Sequence, residues 1–210
     1  MLFLWFIGAG LSGIGAAYHL QTLLPNKSFV VLEGRDSIGG TWDLFQYPGI
    51  RSDSSMETMG YTFRPWTGSK SISDGADILS YIHDTADAYD LRKNILCGHN
   101  VDKINWITAD EKWTVDVTKK TNISSVAESS PVRKNPTRSS PRTQAKKTTG
   151  ESKVKFTSHF ILFCTGYYDY DNGYCPEFPG RDNFKGLVVH PQHWPKELDY
   201  SDKNIVVIGE

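Results

Sequence analysis

An imbalance of charge is the first thing this chain lacks. Its 23 Lys and Arg stand against 24 Asp and Glu, a formal net charge of -1 at pH 7. Such a balance supplies no electrostatic footprint for nucleic acid or for an anionic membrane surface. Long apolar runs are missing too, and none approaches the roughly 20 residues needed to span a bilayer. Cysteine is scarce: Cys97, Cys164 and Cys175 are the 3 present. They are widely spaced, with no zinc-ligand spacing and no C-x-x-C pair. No metal site is expected, and a reducing, cytoplasmic setting is. Residues 1–7 are apolar but short, have no basic flank and run straight into glycines, so they read as a buried strand rather than a leader. No internal repeat is visible. What remains, 39% hydrophobic and 22% charged, is ordinary for a globular chain. Its 210 residues suffice for one large domain, or one domain and part of another.

Local patterns divide the chain. Residues 2–7 form a continuous apolar run of the kind a central parallel strand carries. A glycine turn follows over residues 8–13, then helical spacing over 14–24 that stops before Pro25. Residues 28–33 read as a second strand, completing a βαβ unit. Asp74 is placed to cap a helix whose apolar stripe is Ile78, Leu79, Ile82, Ala86 and Tyr89. Residues 101–107 and 112–118 alternate like a half-exposed hairpin. From 119 to 152 Ser, Thr, Lys, Arg, Pro and Asn take over. That composition buries too little apolar surface to offset ordering, so an insertion without fixed structure is expected there. Its basic excess lacks interleaved aromatics and reads as a solvated loop, not a nucleic-acid tail. Strand patterns resume at 153–157 and 160–164.

Gly8-Ala9-Gly10-Leu11-Ser12-Gly13 is a G-x-G-x-x-G loop between a strand and a helix, the context that gives this short motif weight. Gly8 permits the tight turn, Gly10 lets the backbone approach a pyrophosphate, and Gly13 lets helix and strand pack closely. Ser12 is a further cofactor-binding candidate in this loop, and the N-terminus of the helix that follows faces the phosphate charge. Glu33 ends the second strand, 20 residues after Gly13. A carboxylate there accepts from ribose hydroxyls and repels a 2′-phosphate, which points to FAD or NAD rather than NADP at this first site. A second glycine pair, Gly39-Gly40, is followed by Thr41 and Trp42, where amides can approach a cofactor and an aromatic ring can cover it.

Three strings carry a resemblance: Gly39-Gly40-Thr41-Trp42, Tyr47-Pro48-Gly49-Ile50-Arg51-Ser52-Asp53, and the spacing of Phe184, Gly186, His190, Trp194 and Pro195 as F-x-G-x-x-x-H-x-x-x-W-P. Together they resemble the class B flavin monooxygenases, most of all the Baeyer–Villiger type and its ethionamide-activating branch, and also the flavin-containing monooxygenases. The resemblance implies a three-layer (ββα) Rossmann-like α/β fold binding FAD. It also implies that NADPH reduces the flavin and that a C4a-peroxyflavin formed with O₂ oxygenates a small molecule, either a ketone or a soft sulfur or nitrogen. It sets Asp53 beside the flavin as partner of an arginine. It gives His190 a coupling role in the linker between two dinucleotide domains, with no direct part in the chemistry, while Trp194 and Pro195 pin that linker. Val101 would offer its backbone to the adenine, and Thr165 and Gly166 theirs where the chain passes the cofactor again. Cys164 reads as a core residue, and His193 receives no role.

By this reading residues 1–118 and 153–183 form the FAD-binding domain, 119–152 a disordered low-complexity insertion, 184–202 the fingerprint linker, and 203–210 the first strand of an NADP-binding domain. The resemblance covers nearly the whole chain outside the insertion but only the first part of a family member. An N-terminal fragment is therefore expected, with most of the NADPH site beyond Glu210. An inactive FAD-binding remnant is the alternative. Oligomeric state is not legible.

Overall fold

The computed structural model describes residues 3–123 and 148–209, with side chains described for 3–120 and 150–209. Strand β1 (Phe3–Ile7) passes through a glycine turn into helix α1 (Leu11–Leu23), and β2 (Ser28–Leu32) returns beside β1 in parallel. Short helices α2 (Thr41–Leu44) and α3 (Met56–Met59) lead to α4 (Gly75–Ala88) and the brief strand β3 (Ile95–Leu96). Three longer strands follow, β4 (His99–Ile107), β5 (Lys112–Ile123) and β6 (Thr148–Ser158), and then β7 (Phe160–Phe163). The parallel sheet has the order β3-β2-β1-β7, and β4-β5-β6 make a separate antiparallel sheet. This is the expected α/β, Rossmann-like fold.

The period-two alternation of β1 sorts its side chains between two cores. Leu4 and Phe6 turn to one face, where Ile14, Ala17, Ile78 and Ile82 from α1 and α4 bury them. Trp5 turns to the other, where Leu32, Val115 and Val117 close over it. Its indole Nε1 donates to the Thr157 carbonyl at 2.9 Å, and its ring centroid lies 4.5 Å from that of Phe156. The parallel sheet is thus covered by helices on one side and by the antiparallel sheet on the other, which gives three layers. The connection from β3 to β7 is made by that antiparallel sheet instead of a helix.

The structure differs from the sequence reading at four places. Helix α1 starts at Leu11, inside the stretch read as turn. Asp74 occupies the N-cap position of α4, but its carboxylate makes no cap bond and pairs with Lys70 at 2.5 Å. The disordered insertion expected over 119–152 does not begin at Lys119. Residues 119–123 pair antiparallel with 148–152, from Lys119↔Ser152 to Ile123↔Thr148, so the expected hairpin is a three-stranded meander. Composition misled because a ladder rooted in buried Val115 and Val117 continues on backbone hydrogen bonds through polar residues such as Lys119 and Lys120. The remainder of that insertion, 124–147, lies outside the described residues. Finally, 203–209, read as a strand, pairs with no strand among the described residues, and Ile205, Val206, Val207 and Ile208 are exposed. An apolar run supplies the pattern of a strand but not the neighbour that completes its ladder.

Candidate functional site

The site is built where β1 and β2 end. Gly8 takes φ +102°, and a Cβ there would sit 2.3 Å from the Cys164 carbonyl oxygen. A Cβ on Gly13 would sit 2.0 Å from the Gly8 carbonyl oxygen. These two glycines therefore let β1, α1 and the end of β7 come together. Gly10 differs. Its nearest neighbour is Gly40, whose Cα would lie 3.4 Å from a Cβ at Gly10. The Gly39 N–H donates to the Ala9 carbonyl at 3.0 Å. The structure thus brings together the two glycine strings that sequence reading treated separately. Gly10 caps α1 without any side-chain hydrogen bond, leaving the first-turn amides to other acceptors. Ser12 is exposed at that end, Thr41 opens α2, and Trp42 packs half-buried against the helix-side core.

Glu33 is 7% exposed. Its Oε2 accepts the Ala9 N–H at 2.7 Å and its Oε1 the Arg35 N–H at 2.9 Å. The carboxylate holds the glycine turn against the end of β2 and keeps further lone pairs for a ligand. Beside it Arg35 pairs with Asp43 at 2.5 Å, while the Arg35 Nε is buried without a hydrogen-bond partner. These features fit FAD: a cradle at Gly10 and Gly40 that side chains would fill, an uncapped helix end, a buried carboxylate with lone pairs to spare and an orphaned buried donor.

Other site candidates fall around this cradle. Val101 and Thr165 line one open cleft of about 260 Å³ with Ile7, Asp102 and Phe163. The ladder of β4 and β5 shifts register between Val101 and Lys103, a bulge of the kind that re-aims side chains near sites. Gly166, φ +72°, follows Thr165 at the exposed end of β7. Cys164 is half-buried against Gly13, and burial pushes its thiol up, away from nucleophile character. Asp53 is exposed and accepts from the Ser54 hydroxyl at 3.1 Å. Near it Tyr168 packs edge-on against Phe45, with centroids 5.0 Å apart. The Tyr167 hydroxyl, burial and the charge of Asp53 together push the Tyr168 phenol up to about 12.

His190 stands apart from the glycine loops. Its Nε2 donates to the Tyr174 carbonyl at 3.2 Å and its Nδ1 accepts the Gln192 N–H at 3.1 Å. Its ring lies so close to Gly173 that a Cβ there would be 2.2 Å from Cε1. His193 is exposed, and Trp194 packs edge-on against Tyr200 at 5.8 Å. Sequence reading passed over Gln192, Arg35 and Tyr61. Gln192 is 7% exposed at a free position of the fingerprint, so nothing in the motif marks it. Arg35 could have been noticed two residues past Glu33. The Tyr61 hydroxyl donates to the Leu11 carbonyl at 2.6 Å and props the start of α1 from far along the chain.

The NAD(P)-binding Rossmann-like domain family matches residues 7–68. The FAD-containing monooxygenase EthA of Mycobacterium tuberculosis (strain ATCC 25618 / H37Rv) is 45% identical over 203 residues, 97% of this chain and 35% of EthA. Among solved structures, OTEMO in complex with FAD and NADP matches with a TM-score of 0.61 and 24% identity, over 92% of this chain and 30% of that one. Cyclohexanone-bound cyclohexanone monooxygenase matches with a TM-score of 0.65 and 22% identity, over 94% of this chain and 32% of that one. At these identities the solved structures speak for the fold. The resemblance read from the glycine strings and the fingerprint is borne out: the chain's relatives are FAD-containing monooxygenases, and it spans only 35% of the length of EthA.

Proposed function

We propose that this chain is the FAD-binding part of an NADPH-dependent flavin monooxygenase of Baeyer–Villiger type, which converts a small-molecule ketone to an ester. The observation that carries the reading is the meeting of Gly10 and Gly40 over the uncapped start of α1, with Glu33 closing the end of β2. The FAD-containing relatives support it, and the fingerprint from Phe184 to Pro195 supports the ketone. FAD held there would supply the redox chemistry for an NADPH-driven reaction in which one oxygen atom of O₂ enters the ketone and the other leaves as water.

The chain's own residues bind and orient. Gly8, Gly10, Ser12 and Gly13 receive the diphosphate at the helix start, and Glu33 accepts from the ribose. Gly40, Thr41 and Trp42 approach and cover the cofactor from the opposite wall. Val101, Thr165 and Gly166 contact it through their backbones, and Asp53 orients an arginine at the flavin. His190 couples nicotinamide binding to domain movement. We assign 184–202 as the linker and 203–210 as the start of the NADP-binding domain, the FAD domain comprising the described residues before it. The cysteines, free among the described residues, support a reducing cytoplasm as the setting.

Titration of FAD into the purified chain tests the cradle: saturable binding near one equivalent, lost in Gly10→Val, is expected. Absence of binding overturns the assignment. In a protein that carries the NADP-binding domain as well, with NADPH and O₂ supplied, ester formation from a ketone panel identifies the Baeyer–Villiger reaction. Sulfoxide or N-oxide products alone point to the heteroatom-oxygenating reading, which the same cradle would serve.

A further inference from the structure

The loop after β7 carries four tyrosines, Tyr167, Tyr168, Tyr170 and Tyr174, between the cofactor cradle and the fingerprint. Its shape is fixed from both sides of Tyr170. The Asp169 carboxylate accepts the N–H groups of Asp171 and Asn172 at 3.0 and 3.1 Å. The Asp169 carbonyl accepts from the Gln192 Nε2 at 2.8 Å. Gln192 is buried and itself held, its backbone N–H bound to His190. His190 reaches back to the Tyr174 carbonyl. The fingerprint segment is therefore latched onto this loop at Asp169 and Tyr174.

The latch sets where Tyr170 stands. The phenol oxygen of Tyr170 lies 3.0 Å from the place a Cβ on Gly166 would take, at the tip of β7. Burial, followed by the charge of Glu33, raises its phenol from the ordinary value, with Arg35 and Thr41 acting in the opposite direction. Glu33 and Arg35 follow the end of β2, and Thr41 opens α2. Tyr170 is thus half-buried beside Gly166 and near residues that build the cradle, with a protonated hydroxyl to give.

We infer that Tyr170 is a further cofactor-binding residue whose hydroxyl donates to the ribose–diphosphate part of FAD, and that Gln192 is the positioning residue that seats it through the Asp169 carbonyl. The inference rests on the FAD reading above. It gives a buried side chain of the fingerprint segment a readable effect on the cofactor site.

The test is a double-mutant cycle on the 210-residue chain, read as FAD dissociation constants from quenching of flavin fluorescence. Tyr170→Phe removes only the hydroxyl. Gln192→Met keeps the shape of the side chain and removes the donor, and Gln192→Ala serves where Met disturbs packing. Each single variant is expected to bind FAD about fivefold more weakly, the scale of one hydrogen bond. The double variant is expected to be no weaker than either single one, because both changes remove the same contact. Thermal midpoints serve as a folding control. An unchanged dissociation constant in Tyr170→Phe overturns the inference, and so do losses that multiply in the double variant, since a merely structural glutamine would act independently of the hydroxyl. A wild-type chain that fails to bind FAD overturns the cofactor reading itself, and this inference with it.

Discussion

Replacing Glu33 by Ala should unfold the chain more readily even when no cofactor is present. The carboxylate accepts two backbone N–H groups, from Ala9 at 2.7 Å and Arg35 at 2.9 Å. Ala9 is fully buried, so its N–H has no access to water once its acceptor is gone. A lost charge-assisted bond to a buried donor costs about 2 kcal/mol, and the partly exposed Arg35 amide adds about 1 kcal/mol. The sum, about 3 kcal/mol, is a large part of the total stability of an ordinary domain. Glu33→Gln keeps one acceptor oxygen and should lose only about 1 kcal/mol, as one of the two amides goes unserved. Urea unfolding of the FAD-free proteins, followed by tryptophan fluorescence, measures both. The midpoint should fall in the order wild type, Gln, Ala, with the slope unchanged. An Ala variant that unfolds at the wild-type midpoint would refute the structural role and leave Glu33 a ligand residue alone.

The two glycines of the first loop should separate fold from binding. Gly8→Ala forces a Cβ against the Cys164 carbonyl at φ +102° and should cost about 3–5 kcal/mol of stability by urea titration. A Cβ at Gly10 meets only an ordinary 3.4 Å contact, so the thermal midpoint of Gly10→Ala should stay near wild type, while Gly10→Val should lose FAD retention, read at the flavin absorbance band. Burial holds the Tyr61 phenol protonated well above its ordinary value of 10.0. The folded state then keeps a proton that the unfolded state releases, so stability present below about pH 10 declines as pH rises beyond it. In Tyr61→Phe this alkaline decline should be shallower in stability measured from pH 8 to 11. Trp5→Ala removes the ring wedged between the two sheets and should cost about 3–5 kcal/mol by urea unfolding.

The parallel sheet and the glycine cradle were legible because their signals are local. An apolar run, a glycine turn and a helical stripe occupy consecutive residues, and the sterics that demand Gly8 and Gly13 act within that unit. The second role of Glu33 was not legible, because its partners are backbone amides, which every residue carries. Gln192 and Tyr170 were missed for a related reason: their meaning depends on the Asp169 carbonyl, placed by a turn that no spacing rule announces. The strand ends around the insertion were missed because composition reports side-chain burial, whereas those residues are held by a ladder. At 203–209 the error ran the other way, as the apolar pattern was present without a paired neighbour. The candidate site residues came from motif spacing, and the structure adds that two of those motifs, Gly8–Gly13 and Gly39–Gly40, meet.

Carrying the crossover on the antiparallel sheet has a consequence for the order in which the chain folds. Strand β1 finds β2 about two dozen residues later, but its other neighbour, β7, pairs as Leu4↔Phe160. At about 5–20 residues per second of synthesis, roughly ten to thirty seconds separate the emergence of the two halves of that contact. During this interval α1 and α4 can already condense on Leu4 and Phe6, while Trp5 waits for Val115, Val117 and Phe156. Closure of so long a loop raises the contact order and slows the last step, although lengthening it within the meander adds only logarithmically to its entropy. The nascent chain therefore passes through a stage with its helical side formed and one aromatic face open, the stage at which a chaperone, or another unfinished chain, would meet it.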